Sequence, residues 1–161
     1  SYDLDFSRLQ NMEYAFYYCA VVQTITLPTT KTVSLTNMNG AFDSCYVLGS
    51  LDLSNFDTSN VTNMSSLFSN CRALTELDIS SFSSASLQNI ATMFKSCRQL
   101  VTIYATTAFR GENVSSRSNT FDGCSSLVGG AGTAYNSGMK SGLYARIDNP
   151  PDELGFFTAK A

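Results

Sequence analysis

Val61-Thr-Asn-Met-Ser-Ser-Leu-Phe68-Ser-Asn-Cys71 is the stretch whose reading decides the fold. Val61, Met64, Leu67 or Phe68, and Cys71 fall at helical spacing and would form one apolar stripe. Asn63 is placed as an N-cap, its short side chain able to accept from the exposed amides of a first turn. The next residues, Leu74-Thr-Glu-Leu77-Asp-Ile79-Ser80, end in apolar–polar alternation and read as a short strand. A loop through Phe82 then returns the chain, with that ring as its apolar plug.

The phrase recurs along the chain. Cysteines stand at 19, 45, 71, 97 and 124, three intervals of 26 residues and one of 27. Phe16, Phe42, Phe68, Phe94 and Phe121 each precede a Cys by three residues. Met12, Met38, Met64 and Ile90 form a further column, which Arg117 interrupts, and Asn11, Asn37, Asn63 and Asn89 form another. Phe56, Phe82 and Phe109 align in the return loops once the one-residue insertion between Ala105 and Phe109 is allowed for. A unit of this size cannot bury its apolar face alone, whereas stacked against neighbours it can. The period therefore predicts an α/β solenoid of about five strand-plus-short-helix units sharing one parallel sheet. Leu51, Leu77 and Ile103 should then lie on adjacent strands.

The spacing Cys-x-x-Leu-x-x-Leu-x-Leu, and the run Leu51-Asp-Leu-Ser-Asn-Phe-Asp-Thr-Ser-Asn-Val-Thr-Asn-Met-Ser-Ser-Leu-Phe68, resemble the BspA-type leucine-rich repeats of bacterial surface proteins. The tail is similar to the same family in Phe121-Asp-Gly-Cys-Ser-Ser-Leu127, Tyr144-Ala-Arg-Ile-Asp148 and Gly155-Phe-Phe-Thr-Ala-Lys160. The first unit departs from the pattern, with Leu27-Pro-Thr-Thr-Lys31 in place of the Phe-containing loop. The resemblance implies a leucine-rich repeat solenoid over residues 1–127, with a partial unit at 1–8 in which Leu4-Asp-Phe-Ser7 is a further strand. It also implies a non-enzymatic interaction or adhesion domain, secreted or anchored at a bacterial cell surface. The partner would be a host or bacterial surface protein or a glycan.

Composition narrows the function classes. Only 14% of the 161 residues are charged, and the polarity comes instead from 23 Ser, 16 Thr and 12 Asn. A net charge of −3 argues against nucleic acid, which calls for clustered Lys and Arg. The chain has no His, which removes Ser-His-Asp and Cys-His nucleophile systems and His-ligated zinc. No run approaches the ~18 apolar residues of a membrane helix, and the first residues lack the basic and apolar regions of a signal peptide. The cysteines occupy apolar columns with no Cys-x-x-Cys pair, so they read as buried free thiols. Nothing calls for a cofactor or a metal, and no catalytic residue is assigned.

Between units, the residues that differ are the outward strand positions, where a binding surface would be written. Asp52, Glu76, Asp78 and Tyr104 are the candidate ligand-binding residues on this sheet face. Arg72, Lys95 and Arg98 form a small basic set on the opposite, helical side. Residues 128–161 leave the repeat and read as a C-terminal cap of the same domain, with short strands at Leu143–Asp148 and Phe156–Ala159. Two alternatives stand beside the interaction module. One is a structural spacer that presents another module; the other is a glycan hydrolase using Asp52 with Glu76 or Asp78.

Overall fold

In Val61–Cys71 the apolar side chains do converge, but the backbone that carries them is not a helix. The computed structural model describes residues 5–160. Within that stretch the Leu67, Ser69 and Cys71 amides donate three residues back, to the Met64, Ser66 and Phe68 carbonyls at 3.3, 3.0 and 3.1 Å. The intervening amides point the other way. Met64, Ser66, Phe68 and Asn70 donate to Asn89, Ala91, Met93 and Lys95 of the following repeat, at 2.7–3.0 Å. Ser66 and Asn70 hold φ of 54° and 60°, the left-handed region that an α-helix of L residues excludes. The same pair recurs as Tyr14/Tyr18, Gly40/Ser44, Thr92/Ser96 and Asn119/Gly123. A succession of turns thus reproduces helical side-chain spacing while half of its amides bond to a neighbour.

These observations overturn the expected five-unit leucine-rich repeat solenoid of strand-plus-helix units. No α-helix occurs among the described residues; the only helical turns are 3-10, at Gly111–Asn113 and Gly142–Tyr144. The strands among the described residues are three and short, namely β1 (Glu76–Asp78), β2 (Thr102–Ala105) and β3 (Phe157–Ala159), in one parallel sheet of order β1-β2-β3. Most of the chain is turn and coil. Leu77 pairs with Ile103 as expected, but Leu51 lies in no strand. Thr102-Ile-Tyr-Ala105 is rich in β-branched and aromatic residues, whereas Ser50-Leu-Asp-Leu-Ser54 has none. Only the single bridge Thr24↔Ser50 joins the first two repeats on this side. Since there are no helices to cap, the Asn column serves otherwise. Asn11, Asn37, Asn63 and Asn89 each accept the amide two residues on, at 2.8–3.0 Å, closing Asx turns.

The core runs through the repeats as a column of rings. Phe16, Phe42, Phe68, Phe94 and Phe121 stack in order, with centroids 5.3, 5.8, 5.8 and 5.4 Å apart and planes within 13° of parallel. Beside it the thiols of Cys45, Cys71, Cys97 and Cys124 donate to the carbonyls of Phe16, Phe42, Phe68 and Phe94 at 2.9–3.2 Å. All five cysteines are free. Burial pushes the Cys45 thiol up to about 11 and that of Cys124 up to about 12, and it raises Cys71 and Cys97 as well.

The C-terminal segment closes on the last repeat. Phe156 and Phe157 are buried and meet Phe121 edge-on at 5.0 and 6.3 Å. Phe156 itself precedes β3, and the strand expected over Leu143–Asp148 is absent, replaced by the 3-10 turn at Gly142–Tyr144 and one bridge from Ile147 to Phe157. Asp148 holds the segment together. Its carboxylate accepts from the amides of Ala131, Thr133 and Gly155 and from the Thr133 hydroxyl. At the other end, Leu4 of the expected additional strand lies outside the described residues, as do residues 1–3, and Phe6–Leu9 form a turn.

Candidate functional site

Alternation along β1 and β2 sorts the side chains. Leu77, Ile103 and Ala105 point into the core and are buried, so Glu76, Asp78, Thr102 and Tyr104 lie on the outer face. The register sets Glu76 opposite Thr102, and Asp78 opposite Tyr104; Tyr104 in turn faces Thr158 of β3. Of the four residues singled out from the sequence, three therefore share one small sheet. Asp52 lies off the sheet, beside Asp78, where a hollow of about 60 Å³ is lined by both carboxylates with Ser54 and Ser80.

A residue outside the repeat joins them. Lys160 donates its amide to Ala105 at 2.9 Å, which continues the β3 pairing, and its side chain returns across the sheet. The ammonium sits 4.6 Å from the Tyr104 ring centroid and 3.0 Å from Asp78 Oδ2. The cation thus meets both a carboxylate and the electron-rich ring face. Sequence reasoning missed Lys160 because it stands in no repeat column; only the pairing of β3 with β2 brings it here.

The aspartates also serve the backbone. Asp52 Oδ1 accepts the Ser54 amide at 3.0 Å, and Asp78 Oδ1 accepts the Ser80 amide at 2.9 Å. The Ser54 hydrogen bond holds the Asp52 carboxyl below its ordinary value, against a small opposing effect of the Asp78 charge. For Asp78, burial works to raise the value, but Ser80 and Lys160 together outweigh it and the net shift is downward. The Asp78 interaction correspondingly raises Lys160. Both aspartates are therefore stabilised as anions. Among the described residues, no three acidic or thiol groups converge as metal ligands would.

The basic set expected on a helical face sits on the turns instead. Arg72 is stacked over the Tyr46 ring, its guanidinium carbon 4.7 Å from the centroid. No helix among the described residues is long and apolar enough to cross a membrane.

Neither a curated protein nor a solved structure matches the chain. Residues 10–131 match the family described as "Mycoplasma protein of unknown function, DUF285". That match spans well over half of the sequence and includes every Phe–Cys repeat, so the chain belongs to the DUF285 family.

Proposed function

We propose that the chain is a non-enzymatic interaction or adhesion module of a secreted or surface-anchored bacterial protein, with its partner docking on the outer sheet face. The observation that carries this reading is the contrast between the two faces of β1 and β2. Inward positions repeat in type and are buried, while Glu76, Asp78, Thr102 and Tyr104 differ in chemistry and meet solvent. Tyr104 supplies an aromatic of the kind that anchors interfaces, and Asp52, Glu76 and Asp78 give the surroundings negative charge. The resemblance to BspA-type surface repeats supports the same reading.

The hydrolase alternative fits poorly. A glycosidase acid needs a raised carboxyl pKa, and both aspartates are shifted down. Their hollow of about 60 Å³ is far below the ~300–1,000 Å³ of a small-molecule site. The whole chain should be screened against arrays of matrix proteins, surface proteins and glycans. For a partner so found, Tyr104→Ala with Asp78→Asn should weaken binding about tenfold, or ~1.4 kcal/mol. Undiminished binding by a folded double variant overturns the sheet-face site, and hydrolysis of an arrayed glycan overturns the non-enzymatic reading.

A further inference from the structure

Three tyrosines at the start of the repeats are unusually open for rings of their size. Tyr14, Tyr17 and Tyr18 are 50%, 53% and 60% exposed. They are nevertheless ordered with respect to one another. Tyr14 and Tyr17 meet edge-on at 5.5 Å, Tyr17 and Tyr18 lie 6.2 Å apart, and Tyr18 meets Tyr46 edge-on at 5.7 Å.

The Tyr14 ring has a built seat. It lies across Gly40, where an added Cβ would come within 2.3 Å of its Cε1. Gly40 occupies the position held by Ser66 and Thr92 in the next two repeats, where the side-chain hydroxyls instead bond each other at 2.8 Å. The absence of a side chain at this one repeat is what lets the ring lie there.

Tyr14 and Tyr17 line an open hollow of about 440 Å³ with Asp43. The Asp43 Oδ1 atom accepts from Ser44 Oγ at 3.0 Å and Asn70 Nδ2 at 3.3 Å, which orients the carboxylate. None of the residues lining the hollow is basic, and the nearby Arg72 is engaged with Tyr46. Two exposed tyrosine rings beside an oriented carboxylate make a site complementary to a cation. Tyr18 and Tyr46 extend it with aromatic surface suited to the remainder of a peptide.

We propose that the hollow between Tyr14, Tyr17 and Asp43 is a docking site for a basic segment of a partner protein, which places a Lys or Arg head against the two rings and the carboxylate. This surface is separate from the sheet face and does not depend on it. A hexalysine peptide titrated into the full chain, followed by NMR of the tyrosine rings, tests it. Tyr14 and Tyr17 resonances should move, and Asp43→Asn or Tyr17→Ala should each weaken binding by about tenfold. Tyr17→Phe should bind as the native chain does, because the ring face is retained. Gly40→Ser should also weaken binding while the fold survives, since Ser66 holds the same left-handed backbone at φ 54°. Asp152→Asn, at an exposed aspartate of the C-terminal segment, serves as the control and should leave the affinity unchanged. The proposal is overturned if the Tyr14 and Tyr17 signals stay still, if Asp152→Asn weakens hexalysine as much as Asp43→Asn, or if a neutral glycan binds there instead.

Discussion

The Cys71 thiol donates to the Phe42 carbonyl at 3.1 Å, across the boundary between two repeats. Because Phe42 belongs to the ring stack and Cys71 to the thiol column, this one contact ties both columns to the same inter-repeat spacing. The sulfur acts as a small apolar group with a donor that has a use.

Thiol reactivity should follow the column. With Cys45 raised to about 11 and Cys124 to about 12 by burial, and Cys71 and Cys97 raised as well, four thiols are protonated and enclosed near neutral pH. Cys19, at the first repeat, is only partly buried. Ellman titration at pH 8 should count at most one fast thiol in the native chain and five after denaturation. Rapid labelling of two or more without denaturant contradicts the packing described.

Replacing Cys71 by Ala should destabilise the fold by about 1–2 kcal/mol, from lost packing and the lost hydrogen bond. Cys71→Ser should cost less than burying a partnerless hydroxyl would, because its oxygen inherits the Phe42 acceptor. Urea unfolding of the two variants, compared by midpoint, measures the difference.

Position along the ring stack should grade its energetics. Phe68 is buried between Phe42 and Phe94, whereas Phe16 is only partly buried and has one stacking partner. Phe68→Ala should cost about 3–5 kcal/mol, enough to threaten a domain of this size, and Phe16→Ala clearly less. Equal melting temperatures for the two variants would deny that the stack is a continuous core.

Asp148 should set part of the acid stability. Burial opposes its charge, but the Thr133 hydroxyl and three amides outweigh burial and lower its pKa on folding. A carboxyl depressed in the folded state contributes its stability above its unfolded value, ~3.9, and loses that contribution as pH falls through the folded value. Asp148→Asn should therefore unfold less steeply with acid below about pH 4. Near pH 7 it should be less stable by ~1–3 kcal/mol. Thermal melts at pH 3 and pH 7 separate the two effects.

The Lys160 clamp makes a narrower prediction. Lys160→Ala removes the cation that helps hold the Asp78 carboxylate down, so the Asp78 titration should move upward while that of Asp52, tied to Ser54, stays near its native position. Carboxyl-carbon NMR titration resolves the two aspartates. An unmoved Asp78 would show that the 3.0 Å contact is not maintained in solution.

The sequence by itself determined which side chains are buried. The columns of Phe, Met, Cys and Leu identify residues that are buried in the central repeats, because burial depends on apolar type and on a spacing that puts those types on one side. It also placed Glu76, Asp78 and Tyr104 on an outward face, since strand alternation is a local rule. Whether Val61–Cys71 became helix or turns could not be read this way. Apolar residues three and four apart suit both, and the difference lies in whether the Met64, Ser66 and Phe68 amides bond four residues back or to Asn89, Ala91 and Met93 in the next repeat. That choice belongs to the tertiary structure, as does the reach of Lys160 to Asp78 across Tyr104 and the seating of Tyr14 on Gly40. In each case the partner lies 25 or more residues away, and only the packed chain sets the distance between them.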